Sequence, residues 1–122
     1  MAFTLSQRSK ERLNGVDPRL ISLVERAIVI TEIDFAVTEG VRSPERQQEL
    51  VAKGFSRTLK SKHLTGHAVD LAAFVDGKVT WEKEYYFKIA DAMKKAAKEQ
   101  NIAIQWGGDF KSFFDGPHFE RV

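Results

Sequence analysis

The stretch SKHLTGHAVDLAAFVDG, residues 61–77, holds the transition on which the fold turns. Residues 55–66 show no hydrophobic period, and Arg57, Lys60 and Lys62 make them basic, so they read as a loop. From Ala68 to Val75 the chain is almost continuously apolar, and Asp76-Gly77 then supplies a strong hairpin turn. A loop running into a buried strand is the reading. Strand alternation sends His67, Val69 and Leu71 to one face and Ala68, Asp70 and Ala72 to the other. Asp70 should therefore point away from His67.

On the N-terminal side, Ser6 can cap a short helix through Leu13 that closes at Asn14-Gly15. Asp17-Pro18 is a cap followed by proline at the first helical position, and Leu20, Val24, Ala27 and Ile28 form a helical stripe to about Thr31. Phe35 to Thr38 reads as a strand ending at Gly40. Ser43-Pro44-Glu45 repeats the cap-and-proline signal and opens a helix that Gly54 should close. On the C-terminal side, Thr80 is expected to cap the longest helix, with Tyr86, Ile89, Ala90, Met93 and Ala97 as its apolar stripe. Residues 102–106 read as a strand, 107–117 as a loop, and 118–122 as a last strand. Helices and short strands do not alternate regularly. The fold class is therefore α+β, with a small, mostly antiparallel sheet flanked by helices.

At 122 residues and 13.8 kDa the chain fits one domain, expected to span 1–122. Hydrophobic residues at 43% and charged residues at 30% are ordinary for a soluble globule and exclude a disordered chain. Without cysteine, neither a disulfide framework nor a thiolate metal site can form. A net charge of +2 is too weak to indicate nucleic-acid binding. No apolar run approaches the roughly 20 residues that span a bilayer, and the N-terminal residues lack the apolar core of a signal peptide. A monomer made in the cytoplasm is the expectation.

The three histidines are His63, His67 and His118, and with Asp70 and Asp115 they form a sparse constellation. Imidazole nitrogen and carboxylate oxygen are good Zn²⁺ ligands, and a catalytic zinc ion takes three protein ligands and leaves a fourth position open. His63, Asp70 and His118 would supply that set, with Gly66 letting a loop residue and a strand residue converge. Asp115, three residues before His118, would stand beside the site and take the proton of the attacking water. His67 has helical i,i+4 spacing from His63, but Leu64 stands where a two-histidine zinc helix needs its glutamate, and Gly66 weakens a helix there. His67 is thus expected outside the site. Each of these residues also has a plain structural reading: a histidine held by a hydrogen bond, or an aspartate forming a turn. Trp106, Phe110, Phe113 and Phe114 read as core or loop packing.

Ser61-x-His63-x-x-Gly66-x-Ala68-x-Asp70 resembles the SxHxxGxAxD motif of the D-alanyl-D-alanine carboxypeptidase and L-alanyl-D-glutamate endopeptidase family. Trp106-Gly107-Gly108-Asp109-Phe110, followed by Asp115-Gly116-Pro117-His118-Phe119-Glu120, resembles its second motif. Val41-Arg42-Ser43-Pro44-Glu45-Arg46-Gln47 is similar to its upstream R-S-x-x-x-Q element. The resemblance runs over roughly residues 15–122 and points toward bacteriophage endolysins. It implies the zinc core shared with hedgehog-type domains and D-Ala-D-Ala peptidases, and one catalytic Zn²⁺ held by His63, Asp70 and His118. It further implies Asp115 as catalytic base, Arg42 as a stabiliser of the developing oxyanion or a binder of a substrate carboxylate, and Ser61 as a substrate-binding residue. Carboxypeptidase members more often carry glutamate at the base position, so Asp115 points to the endopeptidase.

The function expected from the resemblance is cleavage of the L-alanyl-D-glutamate bond in peptidoglycan stem peptides by a phage or prophage endolysin during host lysis. The chain ends directly after the last motif, and no cell-wall-binding module is expected. Release from the host cytoplasm by a holin would follow. Lys60 and Lys62 offer positive charge toward an anionic wall. Two alternatives remain open at this point: a D,D-carboxypeptidase or dipeptidase of the same fold, and a zinc-stabilised binding module without turnover.

Overall fold

The structure, a computed structural model, describes residues 3–54, 61–111 and 113–122. The described residues form four α-helices and five strands: α1 (Gln7–Arg12), α2 (Pro18–Ile30), β1 (Asp34–Glu39), α3 (Pro44–Ala52), β2 (Ala68–Val75), β3 (Lys78–Thr80), α4 (Lys83–Gln100), β4 (Ile104–Trp106) and β5 (His118–Arg121). The local signals act as expected at three helix starts. Ser6, Asp17 and Ser43 each accept a hydrogen bond from a backbone N–H in the first turn, from Ser9, Arg19 and Arg46 respectively. The turn after β2 uses positive φ at both Asp76 and Gly77, the pairing a two-residue hairpin demands.

The sheet is antiparallel throughout, in the order β1-β2-β5-β4, with β3 folded back onto the far end of β2. β2 is central because it is long and apolar enough to be covered on both faces. Val69, Leu71 and Ala73 join Phe35, Val37 and Phe119 in the core beneath α2 and α4. Leu20, Leu23, Val24 and Ala27 from α2 and Ile89, Met93 and Ala96 from α4 close that core. The opposite face of β2 presents Ala68, Asp70 and Ala72, two small side chains around one carboxylate. β1 carries a bulge between Val37 and Glu39 that brings Glu39, rather than Thr38, opposite Asp70.

Three local readings need correction. Residues 62–65 are not plain loop but a 3-10 helix, because Ser61 caps it and Gly66 ends it in the left-handed region at φ +80°. A Cβ on Gly66 would stand 2.5 Å from the Gly15 carbonyl oxygen, so only glycine fits this close crossing. Lys78–Thr80 is a strand paired with β2, so Thr80 does not cap α4; the cap position is Glu82, which makes no side-chain cap bond. β4 starts only at Ile104, and the segment after it opens with a 3-10 turn at Gly107–Asp109. The aromatic cluster packs as expected: Trp106 is buried, Phe114 lies against it with ring centres 5.7 Å apart, and Phe113 lies against Phe110 at 5.3 Å. Residues 55–60 of the basic stretch, Arg57 and Lys60 included, lie outside the described residues.

Candidate metal centre

His63 reaches the sheet from the 3-10 helix Lys62–Thr65. The Ser61 hydroxyl accepts from the His63 N–H at 3.2 Å, and the Arg42 N–H donates to the His63 carbonyl at 2.9 Å, so the backbone is held on both sides. The imidazole is buried. Its Nδ1 lies 2.8 Å from the Gly40 carbonyl oxygen, which can only accept, so Nδ1 carries the proton and Nε2 presents a lone pair. That Nε2 is buried without a hydrogen-bond partner, 3.2 Å from Asp70 Oδ1. A lone pair and a carboxylate oxygen facing each other inside a protein are a poor arrangement unless a cation lies between them.

Asp70 and His118 come together by sheet register, as directly opposed residues on β2 and β5. His118 Nδ1 is 3.4 Å from Asp70 Oδ1, and the two imidazole rings are 5.1 Å apart. One ligand atom from each of His63, Asp70 and His118 lies within 4.8 Å of the others. Two imidazole nitrogens and one carboxylate oxygen so disposed can hold a metal ion. Burial works to raise the Asp70 pKa, but the imidazoles of His118 and His63 outweigh it and hold the carboxyl well below the usual range. Burial works to lower the His118 pKa, yet the carboxylates of Asp70 and Glu120 prevail and raise it.

Asp115 stands beside this group without joining it. Its carbonyl accepts from the His118 N–H at 3.1 Å, and its own N–H donates to the Gly107 carbonyl at 3.0 Å. Gly107 is required here, since a Cβ would sit 2.1 Å from the Asp115 carbonyl oxygen. Burial, and next the charge of Asp70, push the Asp115 carboxyl above its ordinary value, while His118, His63 and Arg42 act the other way. A carboxylate raised by its surroundings is a better proton acceptor than a solvated one.

The Arg42 side chain is almost fully buried and engaged on two sides. Nε donates to Glu39 Oε1 at 2.8 Å, Nη2 contacts the same oxygen, and Nη1 donates to Gln47 Oε1 at 2.7 Å. Nη2 also lies 3.7 Å from Asp70 Oδ2. The R-S-x-x-x-Q element thus has a physical meaning: one turn into α3, Gln47 returns to meet Arg42. Ser61, expected to bind substrate, has its hydroxyl on the His63 backbone. His67, one residue before β2, lies outside the group. Its Nδ1 is 2.8 Å from the Thr65 hydroxyl, and its Nε2 is 4.0 Å from Asp17.

Sequence reasoning missed Glu39, Gly40 and Glu120. Glu120 lies 2.8 Å from His118 Nε2, and the two-residue strand period from His118 would have found it. Glu39 owes its position to the bulge in β1, which no local signal marks.

A small antiparallel sheet that gathers His/Asp/His at its surface, beside a separate carboxylate with a raised pKa, defines a class: compact metal-dependent hydrolases. Within that class, the chain belongs to the phage L-alanyl-D-glutamate peptidase family, whose model matches residues 1–122. It is therefore an enzyme of the peptidase class. The L-alanyl-D-glutamate peptidase of Escherichia phage T5 is 30% identical over 137 aligned positions, covering all of both chains. The peptidoglycan L-alanyl-D-glutamate endopeptidase CwlK of Bacillus subtilis (strain 168) is 33% identical over 103 positions, which cover 74% of this chain and 62% of CwlK. Among solved structures, the Serratia marcescens L-Ala D-Glu endopeptidase ChiX superposes with a TM-score of 0.93 at 47% identity, over all of this chain and 90% of that one.

Proposed function

We propose that this chain is a zinc-dependent endopeptidase that hydrolyses the L-alanyl-D-glutamate bond of peptidoglycan stem peptides, and that it serves as a phage or prophage lysin. The relatives' activities support the bond. The observation that carries the metal is the partnerless, buried Nε2 of His63, turned toward Asp70 and His118. Residues 1–122 are read as one catalytic domain, in keeping with the extent of the family match.

In this reading His63 Nε2, the Asp70 carboxylate and His118 Nδ1 are the ligands, a donor set suited to Zn²⁺. Bound there, zinc supplies Lewis acidity toward the scissile carbonyl and makes water a nucleophile near neutral pH. Asp115 accepts the proton of the attacking water and returns it to the leaving amine, in the protein's own acid–base step. Arg42, already oriented by Glu39 and Gln47, compensates the negative charge that develops on the carbonyl oxygen. Ser61 is the substrate-binding residue of this reading, and its hydroxyl also accepts from the His63 N–H. Release from the host cytoplasm by a holin completes the proposal and rests on the phage relatives alone.

Digestion of purified Gram-negative sacculi, with and without a chelator, tests the reading by mass spectrometry of the products. Chelator-sensitive release of peptides beginning with D-Glu, with L-Ala left on muramic acid, is the expected result. Loss of terminal D-Ala alone would replace it with the carboxypeptidase. Absence of cleavage by the folded, zinc-loaded protein would reject it.

A further inference from the structure

The two imidazoles of the centre are anchored at their outer nitrogens by different chemistry. His63 is tied to a backbone carbonyl, whereas His118 Nε2 lies 2.8 Å from the Glu120 carboxylate. Glu120 is two residues along β5 and so shares the face of His118. Its second oxygen lies 3.2 Å from Lys62 Nζ, and that ammonium also donates to the Arg121 carbonyl. Lys62 neighbours His63 in the 3-10 helix, so the chain His118–Glu120–Lys62 ties one histidine of the centre to the segment bearing the other.

We propose that Glu120 is a positioning residue for the metal centre: it holds His118 in the tautomer and orientation that present Nδ1 to the metal, with Lys62 keeping Glu120 in place. The inference rests on the metal centre proposed above. A carboxylate can only accept, so Nε2 carries the proton and the lone pair falls on Nδ1, the nitrogen 3.4 Å from Asp70. The same hydrogen bond makes the imidazole a stronger donor to a metal. Glu120 is not itself a member of the ligand group, because its near oxygen is spent on the outer nitrogen of His118. Its side chain is largely buried and paired on both oxygens, which leaves neither free for substrate.

The test compares Zn²⁺ dissociation constants, from competition with a chromogenic chelator, for the wild type, Glu120→Gln, Glu120→Ala and Lys62→Met. Imidazole N–H resonances of the zinc-loaded proteins are recorded alongside. Glu120→Ala should weaken zinc binding about 10- to 100-fold and remove the downfield His118 Nε2–H signal. Glu120→Gln keeps an acceptor without the charge, so it should keep the signal and lose less affinity, and Lys62→Met should fall between it and wild type. Equal zinc affinity in wild type and both Glu120 variants, or an unchanged N–H signal in Glu120→Ala, would overturn the inference while leaving the metal centre standing. A wild type that binds no zinc would instead overturn the metal centre itself, and this inference with it.

Discussion

Asp70 and His118 face each other across β2 and β5, in register, with Oδ1 and Nδ1 3.4 Å apart. The pairing is made by backbone hydrogen bonds of the sheet, so two of the three candidate ligands are placed by the fold itself. Only His63 arrives from outside the sheet, on a 3-10 turn that Gly66 and Ser61 shape. Preorganisation of this kind means that little chain has to be ordered when a metal binds.

Metal loading should therefore stabilise the folded protein strongly. At a free zinc concentration 100 times the dissociation constant, the linkage is worth about 2.7 kcal/mol, which thermal unfolding reads as several degrees. In His63→Ala the zinc-dependent rise should vanish. A rise of equal size in that variant would show that the ion binds elsewhere.

Asp115 is assigned to the proton and not to the metal. Asp115→Asn should lower kcat by about 10²- to 10⁴-fold, the usual worth of a positioned general base. Zinc affinity and circular dichroism should stay close to wild type. Should hydrolysis persist at more than a tenth of the normal rate, another group must accept the proton.

Arg42 contacts Glu39 through two of its nitrogens and Gln47 through a third. Lysine cannot reproduce that fork. Arg42→Lys should thus cost about 10²-fold in kcat/KM, as loss of one oxyanion donor does. Glu39→Gln should show a smaller loss, because it loosens the guanidinium without removing it. Steady-state kinetics on a defined L-alanyl-D-glutamyl peptide separates the two, and equal effects would place Glu39 in the chemistry directly.

A pH-dependent element of stability lies away from the site. Asp17 caps α2 and pairs with Arg121 Nη1 at 2.6 Å, and that hydrogen bond foremost holds its carboxyl below the ordinary value of 3.8. A lowered folded-state pKa stabilises the native state above the unfolded pKa, and the gain is lost as pH falls through the folded one. Asp17→Asn retains the cap and removes the charge, so it should cost about 0.5–1 kcal/mol near pH 7. The gap in melting temperature should close progressively below about pH 4. A gap that widened on acidification would contradict the pairing.

Much of this protein is written locally. Ser6, Asp17 and Ser43 start helices because a side-chain oxygen and a following proline or free N–H act within one turn. Asp76-Gly77 makes a hairpin because both residues tolerate positive φ. Strand parity, a purely geometric property of β2, sends Val69 and Leu71 into the core and leaves Asp70 on the other face. Residue types and the family resemblance together mark His63, Asp70 and His118 as one group, and the fold brings their ligand atoms within 4.8 Å.

Other features depend on segments distant in sequence and carry no local mark. The bulge in β1 decides that Glu39, not Thr38, stands beside Asp70, and thereby decides what holds Arg42. The Gly40 carbonyl chooses the tautomer of His63 across 23 positions of chain, and Lys62 meets Glu120 across 58, both beyond the reach of any local rule. Local sequence determined most of the strands and helix caps, because those preferences act within a few bonds. Tertiary structure alone decided how each candidate ligand is oriented and charged, because tautomer, burial and pKa are set by whichever distant groups the packing brings alongside.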